Sequence, residues 1–154
     1  MGRTQILLAT DFSSASGPAW RRAVEMSRDG RASLFIAHVL EPPVPFSPDG
    51  YVLPRMYDEI AGVVRADAEK RMRRLLERTG KAGVQAKGLL LRGVPHEAIA
   101  RAARSHRADQ IVVGTHGRRG FSRLFLGSVA SRVLAAAPCP VLVVPASRKA
   151  RRSS

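Results

Sequence analysis

GTHGRRGFSRLFLGS, residues 114–128, joins an apolar run to a helix-like one. Gln110-Ile111-Val112-Val113 precedes it and Val129–Ala137 follows it. Three glycines (Gly114, Gly117, Gly127) and Ser128 therefore lie at a strand-to-helix junction. Such a junction can turn free backbone N–H groups and a helix N-terminus toward a phosphate. Glycine lets the backbone come close, since no Cβ intervenes. Arg118, Arg119 and Arg123 add positive charge beside it. The segment has the make-up of an anion site, and a nucleotide phosphate is the first candidate.

Outward from this junction, short apolar runs alternate with longer helical ones. Gln5–Thr10 has the length and composition of a strand and ends at Asp11, with Ser13 or Ser14 available to cap a helix. Trp20, Ala23, Val24 and Ser27 recur at helical spacing up to Asp29-Gly30. Ser33–Leu40 reads as a buried strand. Residues 41–54, rich in proline, read as a long loop, functional or mobile. Met56, Ile60, Val63, Val64, Ala68, Met72, Leu75 and Leu76 mark one stripe of a long helix, closed by Gly80 and Gly83. Gln85–Leu91 is a third strand, and Pro95 and Glu97 suit the first turn of a third helix. Asp109–Val113 and Val141–Val144 are the fourth and fifth strands, separated by a helix from about Ser128. Continuous apolar strands linked by helices predict a doubly wound α/β fold. Its five-stranded parallel sheet would be covered on both faces, with a ligand site at the carboxyl ends of the strands.

The chain of 154 residues suits one domain, residues 1–146, followed by a basic tail, 147–154, expected to be disordered. No apolar stretch reaches the roughly 18 residues that cross a bilayer, and no secretory leader is recognisable. The one cysteine, Cys139, excludes an internal disulfide and reads as a small packed residue. A cytoplasmic location is the expectation. The net charge of +14 attracts polyanions, yet no nucleic-acid-binding motif accompanies it. His38 and His116 lack partners at metal-ligand spacing. There is no Walker lysine, no dinucleotide fingerprint and no hydrolase elbow.

The spacing Gly114-x2-Gly117-x9-Gly127-Ser128 resembles the nucleotide-binding signature of the universal stress protein family. Thr10-Asp11-Phe12-Ser13, His38-Val39, Val94–Ile99 and Pro138–Val144 resemble other landmarks of that family, so the likeness runs through nearly the whole chain. The resemblance implies strand order 3-2-1-4-5 and an ATP site with magnesium. It places Ala9, Thr10 and Asp11 at the end of the first strand, with Asp11 by the ribose or the metal. Val39 would meet adenine through its backbone. Val113, Gly114, Gly117 and Arg118 would border the ribose and phosphates, and Gly127, Ser128, Val129 and Ala130 would hold the triphosphate. Ala130 departs from the pattern, since ATP-binding relatives can carry Ser or Thr there. The resemblance further implies a homodimer through residues 141–144, at the sheet edge, and a sensor or switch in stress response. A slow ATPase or phosphotransferase at the same site and a charge-driven nucleic-acid binder are the alternatives.

Overall fold

The computed structural model describes residues 2–41, 54–115 and 126–146. Among the described residues nine regular elements follow one another: β1 (Thr4–Ala9), α1 (Gly17–Ser27), β2 (Ala32–Leu40), α2 (Pro54–Lys81), β3 (Ala86–Arg92), α3 (Pro95–Ser105), β4 (Gln110–Gly114), α4 (Ser128–Ala136) and β5 (Val141–Val144). A short 3-10 turn, Ser14–Ser16, leads into α1. The strands form one parallel sheet, as expected from the alternating pattern, and their order is β3-β2-β1-β4-β5, as the family likeness implies.

Both faces of the sheet are apolar because both are covered. On one face Ile6, Leu8, Leu34, Ile36 and Val112 pack with Ala19, Trp20, Ala23 and Val24 of α1 and Met72 of α2. On the other, Leu7, Ala9, Ala37, Ile111 and Val113 pack with Ile99, Ala102 and Ala103 of α3 and Ala130 and Val133 of α4. Successive residues of β1 thus enter opposite cores, as the two-residue period of a strand requires. The buried Trp20 indole N–H donates to Thr79 Oγ1 at 2.9 Å, tying α1 to the end of α2.

Three local expectations are corrected. Helix α2 runs through Gly80 to Lys81, and it is Gly83, with φ +88°, that turns the chain away. Neither Ser13 nor Ser14 caps α1 through its side chain: that helix begins at Gly17, and the Ser13 hydroxyl donates to Asp11 instead. The stripe on α2 is only half used. Ala68 and Met72 are buried, whereas Met56, Ile60, Val63 and Val64 are exposed. Periodicity reports that a helix is amphipathic but not how far the sheet beneath it extends. Residues 42–53 of the expected long loop and the tail 147–154 lie outside the described residues.

Helix α2 sits close on β3 at Gly88. A Cβ added there would lie 2.8 Å from Met72 Cγ, 2.9 Å from its Sδ and 3.1 Å from Leu76 Cδ1. Gly88→Ala should lower unfolding free energy by about 1–3 kcal/mol, the usual effect of overpacking. At Gly62, in the middle of α2, nothing lies within 4 Å of an added Cβ. Gly62→Ala should instead stabilise by about 0.5–1 kcal/mol through helix propensity. Urea unfolding of the two variants should therefore move in opposite directions.

Candidate functional site

In an open parallel sheet, ligands bind where neighbouring strands send their connections to opposite faces. Here that place is between β1, whose chain leaves to α1, and β4, whose chain leads to α4. The ends of β1, β2 and β4 all reach it, because parallel strands place their carboxyl ends on one side.

The β4 side is tied to α4 by its own backbone. Thr115 N–H donates to Val144 C=O at 3.1 Å, and Gly127 N–H donates to Thr115 C=O at 2.7 Å. The start of α4 is thereby anchored to the end of β4. Gly127 is the N-cap, with φ −57° and ψ 154°, and it makes no side-chain cap bond. Any residue could adopt those angles, so glycine is not needed for its conformational freedom. What it lacks is the oxygen that Ser, Thr, Asp or Asn would turn back onto the helix. The first bond of the helical ladder runs from Ser131 N–H to Gly127 C=O at 3.0 Å. The N–H groups of Ser128, Val129 and Ala130 therefore precede the ladder, at the positive end of the helix dipole. Ser128 and Val129 are exposed, while the Ala130 methyl is buried in the same core as Ala9 and Val113. The expected set Ala9, Val113, Gly114, Gly127, Ser128, Val129 and Ala130 is thus brought to one end of the sheet, with Val39 packed against the same core. Gly117 and Arg118, together with His116, Arg119 and Arg123, lie outside the described residues.

The β1 side is a knot of short-range hydrogen bonds. Thr10 Oγ1 accepts from Phe12 N–H at 3.0 Å, and Asp11 Oδ1 accepts from Ser13 N–H at 2.9 Å and from the Ser13 hydroxyl at 2.6 Å. Ser16 Oγ donates to Ser13 C=O at 2.8 Å and lies 3.1 Å from Thr10 Oγ1. Inside this knot Phe12 has φ +61°, in the left-handed region. For a residue with a Cβ that conformation costs about 1–3 kcal/mol and persists only where its surroundings fix it. Asp11 thus serves first as the acceptor that shapes its own loop. Among the described residues no three His, Cys, Asp or Glu side chains gather into a metal centre. A single carboxylate is nevertheless the kind of protein ligand magnesium accepts when phosphates supply the others.

The sequence marked Phe12 and His38 only as landmarks of the resemblance, and the contact between them was missed. The His38 Nδ1 atom lies 2.9 Å from Thr10 C=O, and its ring contacts Phe12 with centroids 4.3 Å apart and planes tilted by 35°. The signal was in the register: Ala9 pairs with Ala37, which places Thr10 beside His38. Cys139, by contrast, behaves as expected of a packed residue. Burial, reinforced by the Asp109 carboxylate, pushes its thiol up from the usual value despite a hydrogen bond with the Ile111 backbone. A thiol held in its protonated form is a poor nucleophile at neutral pH.

A five-stranded doubly wound sheet with an uncapped helix start at its switch point defines a class of small open-sheet α/β domains. Within that class the chain belongs to the universal stress protein family, whose pattern matches residues 2–145. It is 39% identical over 139 residues to a universal stress protein of Thermus aquaticus, covering 90% of this chain and 96% of that one. Its fold is similar to that of the universal stress protein UspA of Lactobacillus plantarum, with a TM-score of 0.79, 28% identity, and 94% and 99% of the two chains covered. It is also similar to a universal stress protein of Archaeoglobus fulgidus in complex with dAMP, with a TM-score of 0.64, 24% identity, and 94% and 99% covered. No helix among the described residues is long and apolar enough to cross a membrane.

Proposed function

We propose that this chain binds an adenine nucleotide, ATP with magnesium, at the carboxyl ends of β1, β2 and β4, and acts as a dimeric cytoplasmic switch in stress response. The observation that carries the reading is the start of α4. Three N–H groups precede the helical ladder, the N-cap has no side chain to satisfy them, and Gly127 is pinned to the end of β4. A phosphate is the natural acceptor for such a group. Structural relatives bearing dAMP, cAMP and AMP support an adenine nucleotide as the source of that phosphate.

In this reading Ser128, Val129 and Ala130 hold phosphate oxygens through backbone N–H groups. Ala9, Thr10, Val113 and Gly114 shape the floor of the site, and Val39 meets the base. Gly117 and Arg118 belong to the phosphate loop by sequence. Asp11 would hold magnesium or the ribose, and the metal would neutralise charge on the phosphates. Residues 1–146 form the binding domain and 147–154 a basic tail. Calorimetric titration with Mg-ATP tests this. Saturable binding that is lost in Gly117→Val is expected, and no saturable binding by the wild type would refute it.

The dimer rests on β5. Ile111 N–H donates to Pro140 C=O and Thr115 N–H to Val144 C=O. Since alternate residues of a strand face the same side, Val141 and Val143 turn their N–H and C=O groups to the outer edge. Val141–Val144 carries no charge to deter pairing there. Val143→Pro removes an outward donor and leaves the β4 ladder whole. Sedimentation should show the wild type as a dimer and Val143→Pro as a folded monomer. A monomeric wild type would end this part of the reading.

A further inference from the structure

The β1–β2 ladder ends at Ala9 and Ala37, and the His38 ring lies against the next carbonyl of β1. The last pair is Ala9 with Ala37, closed by Thr10 N–H donating to Ala37 C=O at 2.9 Å. In a parallel ladder the next bond would run from Val39 N–H to Thr10 C=O. That bond is not formed among the described residues, and Thr10 stands outside the strand. The Thr10 carbonyl instead lies 2.9 Å from His38 Nδ1. A carbonyl can only accept, so Nδ1 carries the hydrogen and donates it. Ala37 faces β1, and so, two residues on, does Val39. With Thr10 C=O turned to the ring and no bond to Val39, the Val39 N–H and C=O stay directed at the space beyond the end of β1.

From this geometry we infer that His38 is a specificity-determining positioning residue. By drawing off the Thr10 carbonyl it keeps the Val39 backbone amide available to read the edge of a purine base. This rests on the nucleotide reading above and extends it to the base. A neighbouring N–H and C=O form a donor–acceptor pair, which matches the alternating acceptor and amino donor of adenine. The Phe12 ring lies against the imidazole, centroids 4.3 Å apart and planes tilted by 35°, and the Phe12 backbone has φ +61°. The left-handed turn at Phe12 thereby acquires a role: it brings that ring back over β2.

Two substitutions separate the donor from the ring. His38→Phe keeps an aromatic plane against Phe12 but has no donor, so Thr10 C=O becomes free to capture Val39 N–H. His38→Asn loses the ring but places an amide N–H the same number of bonds from the backbone as Nδ1. Hydrogen exchange of the nucleotide-free protein should show the Val39 amide slowing in His38→Phe and unchanged in His38→Asn. The Kd for Mg-ATP should rise about tenfold in His38→Phe. It should stay near the wild-type value in His38→Asn. The Kd for inorganic tripolyphosphate, which has no base, should be the same in all three proteins. Equal Mg-ATP binding by His38→Phe, or unchanged exchange at Val39, would overturn the inference. A parallel loss of tripolyphosphate binding would also overturn it, by showing a general structural role. Absence of Mg-ATP binding by the wild type would refute the nucleotide reading itself, and base selection with it.

Discussion

Ser128→Glu should leave the protein at least as stable as the wild type and weaken Mg-ATP binding by about 100-fold, or roughly 2.7 kcal/mol. The two halves of this prediction have opposite signs because one feature serves both. Ser128 is the first residue of α4 and is exposed. A carboxylate in the first turn complements the helix dipole and adds about 0.3–1 kcal/mol. It can also accept from the N–H groups that Gly127 leaves unmet. Both effects favour the folded chain. A nucleotide must then bring its phosphates to a helix start already supplied with negative charge, and like-charge juxtaposition costs several kcal/mol. Thermal unfolding and calorimetry on one preparation read both halves. Raising the salt should narrow the affinity gap, since exposed charges are screened beyond about 10 Å at 0.1 M. An unchanged Kd would mean that phosphate does not lie at the start of α4.

The second large effect lies in the core. Leu8 is fully buried, on the central strand, with Ile36 and Val112 as its partners on either side. Its side chain enters the cluster under α1 with Trp20 and Val24. Leu8→Ala removes three carbons from a layer held by two flanking strands and a helix, which cannot all close in. The expected loss is about 2–5 kcal/mol, transfer and cavity terms together. Against a total of about 5–15 kcal/mol for an ordinary domain, that is a large share. The urea midpoint should fall with the slope unchanged, because the surface exposed on unfolding is nearly the same. A loss below about 1 kcal/mol would show that the core repacks around the missing atoms.

The sheet was legible because both its faces are buried. Runs such as Ile111-Val112-Val113 and Val141–Val144 need no alternation when a helix waits on either side, so they stand out between polar helices. The strand order came from the family likeness, not from the runs themselves. At the candidate site, Gly114, Gly127 and Ser128 could be picked out because they belong to one contiguous segment. The His38–Thr10 bond was not, since it joins residues 28 apart through the register of two strands. Nor was the left-handed Phe12, which is held by Thr10 and Asp11 side chains acting together. The outward position of Ile60 and Val63 escaped for a related reason: where a helix ceases to have a sheet beneath it is a property of the whole fold.

The middle strand of this sheet is the first one made. Translation at about 5–20 residues per second leaves a gap of roughly 5–20 s between the completion of β1 and the arrival of β4. Through that interval β1 can pair with β2 on one side only, and its other flank, lined by Ile6, Leu7 and Leu8, stays bare. A chain stalled on the ribosome before Gln110 would present a half-built sheet to the cell, and chaperones or proteases would be the first to meet it.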